Sequence, residues 1–201
     1  MRILVVGGTG TIGSAVVTTL ASRHEVIAVG HKQGAYRIDL ASPDSIVGFF
    51  QTVGRFDALI SAAGRAAFAA LDKLTDTDFQ FSLSNKLMGQ VNLVRLGLPF
   101  ANDGASFTLT SGVLSREPMV GSAAISLVNA GLEGFVRAAA LELPRGMRIN
   151  VVSPPWVTET LVARKMNPST GLPAATVAQS YVASVEGSFT GQMFDPRMLP
   201  R

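Results

Sequence analysis

The sequence predicts a doubly wound α/β fold, with about seven parallel strands and helices on both faces of the sheet. Three observations lead there. Strand-like and helix-like segments alternate along the chain, the pattern of parallel strands joined by right-handed crossovers. The first strand, Arg2-Ile-Leu-Val-Val6, is almost wholly apolar, as a strand buried on both faces must be. It runs directly into the glycine turn Gly7-Gly8-Thr9-Gly10-Thr11-Ile12-Gly13, which opens a helix.

The elements follow in order. Thr11–Ser22 reads as the first helix, Glu25–Val29 as the second strand and Tyr36–Leu40 as the third. Ser42-Pro43-Asp44 starts the next helix, with Ser42 as N-cap and Pro43 at the first helical position, where a missing N–H costs nothing. Phe56–Ser61 is the fourth strand, and a long helix is expected over Asp76–Leu98, ending before Pro99. Ser106–Thr110 is the fifth strand, Gly121–Leu143 an Ala-rich helix, and Met147–Val152 the sixth strand. The tail carries a helix near Ala174–Val185 and a short last strand near Gln192–Phe194. No repeat, linker or low-complexity tract divides the chain, so residues 1–201 are expected to form one domain.

Hydrophobic residues make up 47% and charged residues 15%, enough apolar side chain for a large core and too little charge for disorder. Lys and Arg number 17 against 14 Asp and Glu, a net +3 that is scattered rather than clustered, which disfavours nucleic acid as a partner. The absence of cysteine excludes disulfides, thiolate metal sites and a Cys nucleophile. His24 and His31 fall on different elements, so no metal site is expected. No apolar stretch reaches the roughly 18 residues a membrane helix requires. The chain enters a strand at once without a secretory leader, and a cytoplasmic protein off the membrane is the expectation.

The glycine turn contains Gly8-x-Gly10-x-x-Gly13 between a buried strand and a helix, the context that turns a weak motif into a dinucleotide signature of the Rossmann type. An early glycine permits the sharp turn, the next lets backbone N–H groups approach a pyrophosphate, and Gly13 lets helix and strand pack closely. Gly7, Thr9, Gly10, Thr11, Ile12 and Gly13 are therefore candidate cofactor contacts; a glycine turn with no ligand is the competing reading. After the second strand the chain reads Val29-Gly30-His31-Lys32, without the acid that binds a ribose 2′-hydroxyl in NAD proteins. A carboxylate there would repel a 2′-phosphate, whereas Lys32 and His31 would attract one. NADP(H) is favoured over NAD(H) on that ground, unless Lys32 is simply a solvated loop charge.

With the turn joined to later segments, the chain resembles the short-chain dehydrogenase/reductase family over nearly its whole length. Asp39-Leu40 is similar to that family's acidic adenine-binding position. Ser61-Ala62-Ala63-Gly64 resembles its Asn-Asn-Ala-Gly segment with both Asn replaced, and Leu109-Thr-Ser111 ends where the family carries its catalytic Ser. Arg148 to Val157 resembles the Asn-x-x-x-Pro-Gly-x-Val segment, which implies contacts to the nicotinamide carboxamide at Pro154 and Val157. Pro155 replaces the expected Gly, and Glu159 falls where Thr is usual.

The resemblance breaks at the catalytic set. The family uses a Tyr as proton donor, whose acidity a Lys four residues on raises, with a Ser and a middle-helix Asn. A phenol suits that work because a nearby cation tunes it toward neutral pH. Here the resemblance places Asn129 at the Lys position, Ile125 at the Tyr position and Lys86 at the Asn position. Lys and Asn are thus exchanged, as in the ketoreductase domains of polyketide synthases. Ser111, Lys86 and Asn129 are the candidate catalytic residues. Ser111 as a strand-end cap, Lys86 as an exposed helix lysine and Asn129 as a backbone-bonding residue are the competing readings.

Isoleucine has no proton to give. Of the two tyrosines, Tyr36 belongs to the adenosine side, and Tyr181 either reaches the substrate from the covering segment or packs in the core. Ser122, Ser126 or Lys86 could act through water, and a protonated Lys86 could polarise a carbonyl. Trp156 is expected at the cleft, and the pocket under Thr158–Ser180, with Met166, Leu172 and Pro173, is expected to be small and apolar. The function expected is NADP(H)-dependent oxidation or reduction of a small carbonyl or alcohol. A cofactor-binding sensor or scaffold without turnover is the alternative that Ile125 raises. A nucleotide such as S-adenosylmethionine fits the pyrophosphate-type turn less well. The two long helices resemble the pair through which the family associates, implying a homodimer or homotetramer.

Overall fold

The computed structural model describes residues 1–198; positions 199–201 of the expected domain lie outside the described residues. Seven strands form one sheet in the order β3-β2-β1-β4-β5-β6-β7, and every neighbouring pair is parallel. They are β1 (Arg2–Val6), β2 (Glu25–Gly30), β3 (Tyr36–Arg37), β4 (Phe56–Ser61), β5 (Ala101–Thr110), β6 (Arg148–Val152) and β7 (Met193–Phe194). The helices are α1 (Thr11–Leu20), α2 (Pro43–Val53), α3 (Asp76–Ser82), α4 (Gly89–Gly97), α5 (Ala123–Ala139), α6 (Thr158–Ala163) and α7 (Ala174–Glu186). The doubly wound parallel sheet expected from the sequence is the fold observed.

Strand periodicity sorts the core into two layers. On one face Leu4, Val6, Leu59, Phe107 and Ile149 pack with Phe49, Phe50, Leu93 and Val136. On the other, Ile3, Val5, Ala58 and Ile60 pack with Val16, Leu20, Val177 and Tyr181 from α1 and α7. Both faces of β1 are buried, which is why its sequence shows no polar alternation. β1 lies between β2 and β4, so the strand order reverses beside it. A crevice opens outside the carboxyl ends of the strands at such a switch point.

Local chemistry explains most boundaries. Ser42 caps α2 by accepting from the Ser45 N–H at 3.2 Å, with Pro43 in the first turn. Thr75 and Asp78 cap α3 reciprocally. The expected third strand ends early because Asp39 turns the chain out of the sheet, its Oδ1 accepting from the Ala41 N–H at 3.0 Å. The fifth strand begins earlier than expected, at Ala101, with its pairing to β4 shifted between Phe56 and Ala58 and Gly104 at φ +73°. Turn-forming residues there hid the strand from a periodicity argument.

The helix expected over Asp76–Leu98 is interrupted: a π-helical turn at Leu83–Met88 separates α3 from α4, and a 3-10 turn carries Leu98–Phe100. The helix expected over Gly121–Leu143 is shorter, because Gly121 sits at φ +88° before it and the chain turns irregularly beyond Ala140. In the segment after β6, where no helix is expected from the sequence, α6 forms. Backbone bonds from Thr158 N to Leu172 O and from Leu172 N to Trp156 O tie its two ends together.

Candidate functional site

Two hollows open at the carboxyl ends of the strands. The first, of about 280 Å3, is lined by Gly7, Thr9, Gly10, Gly30, His31, Ile38, Leu40, Ala62, Ala63, Gly64, Arg65 and Asn85. A Cβ on Gly7, at φ +83°, would lie 2.6 Å from the Ala62 carbonyl oxygen, so the turn passes this close to β4 only as glycine. Gly13 has a different duty. A Cβ there would collide with the Gly7 carbonyl, so it sets the contact between α1 and the turn rather than facing the hollow. Gly10 is the N-cap of α1, so no side chain caps the helix's first N–H groups. Open backbone donors beside a glycine-lined hollow fit a pyrophosphate.

The other sequence-derived cofactor residues are spread more widely. Thr11 faces a separate groove with Ser14 and Glu159. Ile12 packs against the α1–α7 core layer. Lys32 is exposed and is not part of the hollow's wall, whereas His31 is, with Nδ1 3.2 Å from the Ile38 carbonyl. Asp39 is occupied with its own turn, and Leu40 forms wall. Arg65 and Asn85 were not anticipated; the Arg65 N–H donates to Asn85 Oδ1 at 2.7 Å. The position of Arg65 directly after Gly64 was the available signal.

The second hollow, of about 160 Å3, lies at the ends of β5 and β6 and is lined by Ser111, Gly112, Val113, Leu114, Ile125, Asn129, Pro154, Pro155, Trp156, Val157 and Thr160. It is small and mostly apolar, as expected, and Ile125 is in its wall. Trp156 also borders it, with the Arg164 guanidinium 5.5 Å from its ring centroid. The expected covering residues lie elsewhere: Met166 is exposed, and Leu172 pairs with Val157 and packs into the α1–α7 layer. Glu159 is spent structurally, its two oxygens accepting from the Ala174 N–H at 3.1 and 3.0 Å at the start of α7.

Lys86, Ser111 and Asn129 are all buried. Lys86 is not an exposed helix lysine. The π turn carries it against Gly64, and its Nζ donates to the carbonyls of Thr110 and Ser111 at 3.4 and 3.3 Å. Burial pulls its pKa down from the usual lysine range to about 8. Asn129 donates through Nδ2 to the Gly112 carbonyl at 3.3 Å, while its buried Oδ1 has no partner among the described residues. Such an orphan acceptor costs free energy unless a ligand supplies a donor.

Tyr181 does not reach this pocket. It is fully buried in the α1–α7 layer, where its Oη meets Thr110 Oγ1 at 2.7 Å, and burial raises its pKa above the ordinary phenol range. Ser122 bonds Met119 and Ser126 rather than the cleft. Tyr36 packs edge-on against Phe49.

One buried acid lies outside the set expected from the sequence. Glu133, one turn beyond Asn129 on α5, accepts at Oε1 from the hydroxyls of Ser111 (2.9 Å), Ser115 (2.7 Å) and Ser153 (3.2 Å). A carboxylate among the Ala, Gly and Leu residues of α5, four positions after a candidate site residue, was a legible signal. Behind Ser153, Arg116 donates to its Oγ at 3.3 Å and pairs with Asp195 at 3.2 Å.

The model of the family described as Enoyl-(Acyl carrier protein) reductase matches residues 11–185. The chain belongs to the short-chain dehydrogenase/reductase family of oxidoreductases, whose members bind nicotinamide cofactors. An uncharacterised oxidoreductase of Methylorubrum extorquens is 28% identical over 158 residues; the match spans 72% of this chain but only 64% of that protein, just under two thirds of its length. A mouse 3-oxoacyl-[acyl-carrier-protein] reductase is 26% identical over 174 residues, 76% of this chain and 74% of its own. Among solved structures, a Listeria innocua protein superposes with TM-score 0.93 at 40% identity, covering 97% of this chain and 98% of that one. A small-chain dehydrogenase in complex with NADPH gives TM-score 0.85 at 26% identity, covering 97% and 95%.

Proposed function

We propose that this protein is an NADP(H)-dependent oxidoreductase of small carbonyl or alcohol substrates that moves its proton without the family's tyrosine. One observation carries the reading: Ser111 and Asn129 line the small apolar second hollow, with Lys86 buried directly behind Ser111. The glycine-walled first hollow, with its uncapped helix start, holds the pyrophosphate and adenosine. His31 at its wall and Lys32 just outside favour a 2′-phosphate, and the NADPH complex of a similar dehydrogenase supports that choice. When bound, the nicotinamide supplies or accepts the hydride. Asn129 Oδ1 waits for a hydroxyl donor, Pro154 and Val157 form wall, and Trp156 and Ile125 exclude water. Lys86 holds the backbone at the end of β5, where Ser111 begins.

The test is a screen of small ketones, aldehydes and their alcohols with NADPH and NADP+. Turnover above blank, lowered by Ser111→Ala and Lys86→Ala, is expected; no turnover with any pair, alongside firm NADPH binding, would favour the second reading. That reading is a cofactor-binding sensor without turnover, and Ile125 in the pocket wall is the observation behind it.

The same reading covers residues 1–201 as one dinucleotide-binding domain, acting in the cytoplasm. No helix among the described residues is long and apolar enough to cross a membrane. Exposed Phe81 and Met88 on the α3–α4 segment and Leu127 on α5 suit a homodimer or homotetramer through these helices.

A further inference from the structure

Ser111 and Asn129 are the polar side chains more than nine-tenths buried at the second hollow, and the Ser111 hydroxyl spends its hydrogen elsewhere. Asn129 gives one Nδ2 hydrogen to the Gly112 carbonyl, and its Oδ1 has no partner among the described residues. Ser111 has one hydroxyl hydrogen, and its acceptors are Glu133 Oε1 at 2.9 Å and, more distantly, the Val152 carbonyl at 3.5 Å. A hydroxyl that donates inward presents only lone pairs elsewhere. Ile125 adds no polar atom, and Trp156 and Thr160 are only half-buried.

We propose that Glu133 aims the Ser111 hydrogen away from the pocket, so that the site selects a small alcohol and draws its proton through Ser111 to Glu133. A bare carbonyl gains no hydrogen bond from a serine whose hydrogen is committed to Glu133, whereas a hydroxyl finds a partner in Ser111 Oγ. The proton transfer balances. The substrate O–H bond breaks as a new Oγ–H bond forms, and the original Oγ–H bond breaks as Glu133 Oε1 gains its hydrogen. Ser111 ends as it began, with one hydrogen. Glu133 touches no substrate; it is a positioning residue and proton acceptor acting through Ser111. Ser115 and Ser153 hold the carboxylate in place.

The inference rests on the oxidoreductase reading above, and the experiment separates the two. Cyclohexanol and cyclohexanone, matched in size, are titrated by saturation-transfer NMR into the protein carrying tetrahydro-NADP, a redox-inert cofactor analogue, and into the free protein. Cyclohexanol is expected to bind about tenfold tighter, the worth of one good hydrogen bond. Glu133→Ala frees the Ser111 hydrogen and closes the gap by strengthening cyclohexanone binding; a purely structural role for Glu133 would weaken both probes alike. Should Glu133→Ala not fold, Ser111→Ala serves, and the gap must shrink at least threefold. Equal binding in the wild type, or a gap untouched by Ser111→Ala, overturns the inference. Failure of NADPH itself to bind, followed by its fluorescence, would instead sink the oxidoreductase reading, while the probe pair in the free protein still decides this one.

Discussion

Tyr181 Oη and Thr110 Oγ1 lie 2.7 Å apart in the interior, and Thr110 Oγ1 donates in turn to the Ser61 carbonyl. The phenol in the covering half of the chain is therefore committed to joining α7 to β5 and β4, not to proton transfer. Tyr181→Phe is expected to leave turnover within about twofold of wild type while lowering stability by about 1 kcal/mol, the net worth of one hydrogen bond. Chemical denaturation and steady-state kinetics check the two halves. A hundredfold loss of kcat would place Tyr181 in the chemistry.

Lys86 makes stability depend on pH in a stated direction. Its pKa is about 8 when folded, below the ordinary lysine value of 10.5, so the unfolded chain binds the proton more tightly. The cost of burying it is full below about pH 8 and fades as pH rises toward 10.5. Lys86→Met should therefore be more stable than wild type at neutral pH, by at most about 3 kcal/mol. The advantage should shrink steadily in melts between pH 8 and 10.5. A constant difference across that range would mean that desolvation of the ammonium is not what Lys86 contributes.

The glycines of the turn divide by duty. Gly10 has φ −90° and ψ 176°, which any residue adopts, and a Cβ there meets only the Gly7 carbonyl oxygen, at 3.3 Å. Gly10→Ala should fold with a loss of about 1 kcal/mol and weaken NADPH binding at least tenfold, because its methyl enters the hollow. Gly13→Ala should damage the fold instead, by about 1–3 kcal/mol through overpacking. Melting temperatures beside NADPH titrations distinguish them; equal loss of stability in both variants would contradict this division.

Cofactor choice should follow charge at the end of β2. His31 lines the first hollow and Lys32 is exposed beside it. Lys32→Glu is expected to lower the NADPH-to-NADH affinity ratio about tenfold, most clearly at low salt, where exposed charges are least screened. An unchanged ratio in fluorescence titrations would return Lys32 to the status of a solvated loop charge.

Association should depend on the apolar side chains left outside. Leu127 is 51% exposed and Met88 42%, on neighbouring helical segments. Leu127→Asp should shift the mass seen by light scattering from oligomer toward monomer without changing the melting of the monomer. A wild type that is monomeric at all concentrations would discard the proposed interface.

Much of this was legible beforehand because local chemistry dictates it. β1 had to be apolar once buried on both faces, the glycine turn had to follow it, and Ser42-Pro43 could only open a helix. Gly7, Thr9, Gly10, Ala63 and Gly64 are brought to one hollow, and Ser111, Asn129, Pro154 and Val157 to another, because strand ends in a doubly wound sheet converge on one edge. Tertiary structure decided the rest. Whether Lys86 is exposed depends on a π turn that no periodicity announces, and Tyr181 is excluded from the pocket by packing between α7 and the sheet. The direction in which Ser111 points its hydrogen depends on Glu133, Ser115 and Ser153, contributed by three separate segments. A hydroxyl's donor is shared among whatever acceptors the fold gathers, and that is settled by contact in space, not by order along the chain.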